Sequence, residues 1–281
     1  MASTFKTFLS DDIASTRTLL HEAIPMTGSI VNGVTYDETT PAATNIKTYG
    51  HGMFQSVYDY PYQSSSANHV FDITHGIHPS GSLGTTTDTY YAKRKNVYNQ
   101  MAQVLVGHDV NGVVRRFDVD GDLVSDVKYD NVFFLNFARL LGKDEIKKGS
   151  FEISLGITQA FHADKVGMHA SLVKISDTGA ETNYEVNSPA GEYGILSVAD
   201  QAGPDSLDGS VDTAAKKRCG LIYYQAGIVV ITTDIFENGF AGATDGGYLG
   251  ATCKMRPAVD GVEQDMDTLL GANASMDAVS D

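Results

Sequence analysis

Four histidines crowd one segment: His51, His69, His75 and His78, with His75-Gly76-Ile77-His78 setting two imidazoles close together in sequence. Neutral imidazole is a common metal ligand, but ligation needs nitrogens held convergent. Here a glycine lies between the pair, Pro79 follows it, no cysteine is near, and His21-Glu22 runs into Pro25 rather than into an HExxH pattern. The expectation is surface or hydrogen-bonded histidines, with no strand or helix fixing His75 and His78, and no metal centre is assigned. Asp118-Val119-Asp120-Gly121-Asp122 spaces its carboxylates as a calcium loop does. Leu123 stands where that loop turns on glycine and Tyr129 where it needs a bidentate glutamate, so a plain hairpin is expected. The adjacent carboxylates Asp144 and Glu145 form a poor acid/base pair, because sequence neighbours rarely converge on one substrate atom and the flanking Lys143 and Lys147 keep both ionised.

Tyrosine is the other candidate. Tyr49, Tyr58, Tyr60 and Tyr62 bracket an extended loop that turns polar at Gln63-Ser64-Ser65-Ser66. Tyrosine rings stack on sugars, and tyrosine is also a common anchor of protein interfaces. The absence of tryptophan favours subunit contact, so Tyr58, Tyr60 and Tyr62 are taken as interface residues, with sugar binding as the alternative. No catalytic residue, cofactor or metal ligand is assigned. The chain carries no GxSxG elbow, no GxGxxG or GxxxxGK[ST] phosphate loop and no CxxC pair. Cys219 precedes a strand rather than opening a helix, so nothing lowers its pKa; pairing with Cys253 would not amount to a disulfide scaffold.

The elements that must position these residues are mostly strands. An N-terminal helix is expected after Ser10, with Asp11 and Asp12 in its first turn, Ile13, Leu19 and Leu20 apolar and Pro25 as the stop. It docks on its own domain or on a neighbouring subunit. Residues 26–86 show no helical period, and strands are read over residues 53–58 and 69–73. A helix capped by Thr87 or Asp88 follows, with Tyr91, Val97, Met101, Val104 and Leu105 as its apolar stripe and Gly107 as its end. Its Lys93-Arg94-Lys95 triplet is read as a solvated face, with a salt bridge to a neighbouring subunit as the alternative.

Asn111-Gly112 and Asp120-Gly121 predict tight turns of a β-meander. Asp130-Asn131 then reads as the cap of a second helix over residues 132–141, with Val132, Phe133, Phe137, Leu140 and Leu141 buried. Residues 143–149 are a charged connector. Strands are read from Phe151 to Ile157, Ala170 to Ile175, Thr182 to Val186 and Gly194 to Val198. The strongest hairpin joins residues 219–224 to 228–232, and its almost continuously apolar arms require cover on both faces. Residues 199–218 form a long polar excursion. Beyond Phe236 the pattern weakens to an extended arm with a short helix near residues 261–270.

The composition agrees. At 281 residues, 42% hydrophobic and 20% charged, the chain has a core's worth of apolar surface and room for one large domain or two small ones. Its formal charge of −15 repels phosphate backbones, so no nucleic acid partner is expected. With 28 glycines, 14 tyrosines and 12 phenylalanines it suits strands and tight turns. No apolar run approaches the roughly 20 residues that span a bilayer, and the start lacks a secretory pattern, so a soluble protein made in the cytoplasm is expected. The fold class is α+β and β-rich, with antiparallel hairpins or a meander, two or three helices and long loops. Three segments are expected: 1–106, loop-rich with two helices; 107–238, a β-rich core with one helix; and 239–281, an extended arm.

Two runs resemble a known family. Residues 134–141 (Phe-Leu-Asn-Phe-Ala-Arg-Leu-Leu), followed by 143–151, and residues 220–231 (Gly-Leu-Ile-Tyr-Tyr-Gln-Ala-Gly-Ile-Val-Val-Ile) resemble virion structural proteins of contractile-tailed bacteriophages, those of marine and cyanobacterial hosts in particular. The resemblance spans residues 49–236. It implies a non-enzymatic subunit of the virion, tail-associated at the baseplate or neck, whose partners are other virion proteins and copies of itself. It carries over no functional residues. A receptor- or glycan-binding fibre module built on the Tyr58–Tyr62 loop, a hydrolase of host polysaccharide and a capsid decoration protein are the alternatives.

Overall fold

A computed structural model of the chain describes residues 45–81, 84, 89–123, 128–137, 145–157, 171–199 and 218–233, with the pairs 258–259 and 262–263. Its frame is one antiparallel sheet. The strands are β1 (Ile46–Thr48), β2 (Gln55–Tyr58), β3 (His69–Ile77), β6 (Asn131–Phe137), β7 (Glu152–Ile157), β8 (Ser171–Ser176), β9 (Glu185–Ser188), β10 (Gly191–Ala199), β11 (Arg218–Tyr223) and β12 (Ile228–Thr232). They lie in the order β1-β2-β3-β6-β12-β11-β10-β8-β7, with β9 also paired to β10. Two short ladders stand apart, β4 (Phe117–Asp118) with β5 (Lys128–Tyr129) and β13 (Ala258–Val259) with β14 (Val262–Glu263). The β3–β6 ladder joins the chain before residue 107 to the chain after it.

Residues 131–137 form a strand where the sequence reading placed a helix. The apolar run Val132-Phe133-Phe134-Leu135 fits a helical stripe, but a strand covered on both faces shows the same continuous pattern. β6 is such a strand, paired with β3 on one side and β12 on the other, and its first five residues are all buried. β-branched and aromatic side chains settle the choice toward the pleated form. The short helix expected near residues 261–270 is also corrected at its start, because Val262 and Glu263 pair with Val259 and Ala258 as β14. The expected N-terminal helix lies outside the described residues.

Cross-strand registers sort the sheet into two apolar faces. Thr74, Phe134, Val230 and Leu221 share a row on one face; His75, Phe133 and Ile231 share a row on the other. The helix α1 (Thr89–Leu105) packs on the first face, where Tyr98, Ala102 and Leu105 join Val132, Phe134, Leu221, Tyr223 and Val230 in the core. Gly76 permits that approach, since a Cβ there would lie 2.8 Å from the Phe134 ring and 3.0 Å from the Tyr98 backbone. The Tyr98 hydroxyl donates to the Tyr129 carbonyl (2.7 Å) and accepts from the Phe117 N–H (3.3 Å), which ties α1 to the β4–β5 ladder. α1 closes at Gly107, whose φ of 85° is the left-handed turn expected of it.

Two side chains on α1 depart from the expected stripe. Arg94 is fully buried rather than solvated, whereas Val104, counted as part of the stripe, is exposed. Among the described residues α1 is the single helix, where two or three were expected.

Candidate functional site

On the face that carries α1, one row of the sheet is polar at the β1 end: Lys47, Ser56, Asp72 and Asn136 stand directly opposite one another across β1, β2, β3 and β6. The Ser56 hydroxyl donates to Asp72 Oδ1 (2.5 Å), and the His69 Nε2–H donates to the same oxygen (2.8 Å). The Tyr49 hydroxyl lies 3.2 Å from Ser56 Oγ, and the Lys47 ammonium sits 5.1 Å from the Tyr49 ring centre.

His69 reaches Asp72 because the strand is irregular. Residues three apart in a regular strand point to opposite faces. Val57 pairs with Phe71 but Tyr58 pairs with His69, so Val70 is an extra residue, a bulge that turns His69 onto the face of Asp72. No spacing rule in the sequence announces that bulge.

The tyrosine loop ends on this row. The Tyr58 ring packs against His69 (5.3 Å) and Tyr62 (6.3 Å), and Tyr60 is 41% exposed. The loop is braced by Asp59, which accepts from the Asn68 backbone N–H (2.6 Å) and side-chain amide (2.8 Å). Those bonds outweigh the opposing desolvation and hold the Asp59 carboxyl below the usual range. Tyr49 belongs to a separate aromatic group, stacked on His51 and tilted against Phe54. The row also assembles Ser, His and Asp, but not as a nucleophile with its base. Hydroxyl and imidazole both donate to Asp72 Oδ1, so the serine proton is directed at the carboxylate.

The four histidines do not converge, although the strand does fix His75, contrary to the sequence reading. His69 faces α1's side of the sheet, and His75 is buried on the other face against Phe133. His51 stacks on Tyr49; His78 lies past the strand end, its Nδ1 accepting from the Ser80 N–H (3.1 Å).

Burial, with the Arg94 charge added, holds the His75 imidazole well below its usual 6.5. Folded His75 is therefore neutral while the unfolded chain takes up a proton below about pH 6.5, so this stabilisation is full above that pH and drains as pH falls. The slope reaches about 1.4 kcal/mol per pH unit. Urea unfolding at pH 7.5 and 5.5 is expected to show a smaller acid loss for His75→Phe than for the native chain; equal losses would refute it.

The flanks of the aspartate loop pair as a two-residue ladder, Phe117 with Tyr129 and Asp118 with Lys128, so the connection is longer than the tight turn expected at Asp120-Gly121. Its carboxylates Asp118, Asp120 and Asp122 come within 4.8 Å of one another, and Leu123 adopts a φ of 62°, the conformation a calcium loop gives to glycine. The buried Asp118 is engaged by the Lys128 ammonium (2.9 Å) and the Leu123 N–H (2.6 Å). Cys219 is a buried free thiol whose pKa burial pushes up; Cys253 lies outside the described residues.

Comparison with protein-family models, curated proteins and solved structures finds no match for this chain.

Proposed function

We propose that this chain is a non-enzymatic structural subunit of a contractile-tailed bacteriophage particle, tail-associated at the baseplate or neck, that works through contacts with other virion proteins and copies of itself. The observation that carries the reading is a set of exposed valines on neighbouring elements. Val104 is 62% exposed, Val110 97%, Val113 61% and Val186 68%. They sit on the last turn of α1, on the turn after it and on β9, and these elements touch. The Ser188 hydroxyl donates to the Leu105 carbonyl (2.5 Å), and Pro189 packs within 3.3 Å of where a Gly107 side chain would begin. Single exposed apolar residues are ordinary; several on abutting elements are read here as a contact surface.

The segments that resemble phage virion proteins support the same reading from inside. Residues 134–137 and 220–231 meet as β6, β12 and β11 at the centre of the sheet, so the likeness lies in scaffold rather than in a reactive group. The Tyr58–Tyr62 end is a second and chemically different surface.

The test is incorporation. Particles assembled with Val110→Asp/Val113→Asp are expected to contain at least tenfold less of the subunit than those built with the native chain, at equal expression and equal thermal midpoint of the free protein. Side-chain-resolution reconstruction is expected to find the valines against a neighbour in the tail. Undiminished incorporation, or absence of the chain from purified particles, would overturn the proposal; density on the capsid would move the subunit to the decoration alternative.

A further inference from the structure

We propose that the polar row beside the tyrosine loop is a carbohydrate-binding site, taking a neutral hexose or deoxyhexose unit of a glycan. Three features carry this. The first is a carboxylate fixed in advance. Both Ser56 and His69 donate to Oδ1 of Asp72, and no hydrogen bond to Oδ2 occurs among the described residues. A half-buried carboxylate oriented through one oxygen leaves the other as a ready acceptor for a ligand hydroxyl. The second is the exposed amide of Asn136, directly across the β3–β6 ladder from Asp72. An amide offers donor and acceptor together, which matches vicinal hydroxyls. The third is the aromatic wall of Tyr58, Tyr62 and the exposed Tyr60, which supplies an apolar surface for the C–H face of a sugar ring.

The bulge at Val70 joins these features. Without it His69 would point to the opposite face, Asp72 would lose one of its two locks, and the Tyr58 ring would lose its neighbour. Bulges commonly re-aim a side chain beside a functional site. Charge selects a neutral ligand: the chain's net charge of −15 repels anionic sugars, and Lys47 in the same row opposes a second cation.

The site does not depend on where the subunit sits in a particle, so a failure here leaves the structural proposal standing. The experiment uses the labelled full-length chain on a printed array of neutral, aminated and uronic-acid oligosaccharides, including bacterial surface glycans. Saturable binding to neutral members is expected, weakened at least tenfold by each of Tyr62→Ala, Asn136→Ala and Asp72→Asn, and unchanged by Lys174→Ala on the distant β8. Thermal midpoints of all four variants are measured alongside. Because Asn136 is exposed and Tyr62 only partly buried, these two variants keep the test alive should Asp72→Asn fold poorly. No binding above background, binding indifferent to Tyr62 and Asn136, or binding only to charged members would each overturn the assignment.

Discussion

Replacing Arg94 by methionine is expected to lower the unfolding free energy by about 3 kcal/mol. Arg94 sits on the buried stripe of α1, and its guanidinium ends on the loop before β2. One terminal nitrogen donates to the Met53 carbonyl (2.8 Å) and Thr74 Oγ1 (3.1 Å); the other donates to the Gly52 carbonyl (2.6 Å). Two effects oppose each other in the substitution. Removing a buried cation relieves a desolvation cost, which is why buried charges are often replaceable by apolar groups of similar volume. Against that, three charge-assisted bonds of roughly 1.5–3 kcal/mol each are lost together, and their acceptors stay behind.

The acceptors decide the sign, because methionine offers them nothing and only the Met53 carbonyl keeps another donor, the Thr74 hydroxyl (2.6 Å). Gly52 and Met53 are only half-buried and can partly rehydrate, which keeps the loss below the sum of the three bonds. Arg94→Lys, a single point donor on a comparable stem, is expected to fall between the two. Urea denaturation reads all three chains. A methionine variant within about 0.5 kcal/mol of the native chain would mean that the desolvation term wins and the loop is held by other contacts.

Arg94 also shows where sequence reading stops. Lys93-Arg94-Lys95 looks like a solvated triplet, yet helical spacing puts residue 94 on the line of Tyr91, Tyr98 and Leu105, and only the loop carbonyls at 52 and 53 explain why a cation belongs there. Those carbonyls are long-range partners that no local pattern announces. The hairpin of β11 and β12 was legible because turn and arms are contiguous and the apolar arms demand cover on both faces. β6 carries an equally apolar run but no turn of its own; its partners β3 and β12 lie far off in sequence, so helix and strand patterns could not be told apart. In the candidate site the tyrosines were visible as a type and a spacing. The Asp72 carboxylate beside them was not, since its alignment with Ser56, His69 and Asn136 rests on three strands and one bulge.

The same limit applies to Asp177, the residue that follows β8. Asp177→Ala is expected to cost about 3 kcal/mol, and Asp177→Asn nearly as much. The buried carboxylate accepts the Phe151 N–H at Oδ1 (2.9 Å), and the Gly149 N–H (2.8 Å) and Tyr224 hydroxyl (3.0 Å) at Oδ2. It thereby holds the connector at 149–151 against the end of β8 and the turn between β11 and β12. Asparagine is close to isosteric, but its amide must present NH2 at one of the two positions. At Oδ1 it meets the Phe151 N–H, and at Oδ2 it meets the Gly149 N–H, so either orientation sets donor against donor in a buried place. Tyr224→Phe removes one of the three bonds and leaves both backbone donors satisfied, so its expected cost is about 1 kcal/mol. The ranking is the sharp part, because a role limited to shape would make asparagine the mildest of the three. Chemical denaturation in which Asp177→Asn is milder than Tyr224→Phe would show that the connector does not depend on two acceptor oxygens at this position.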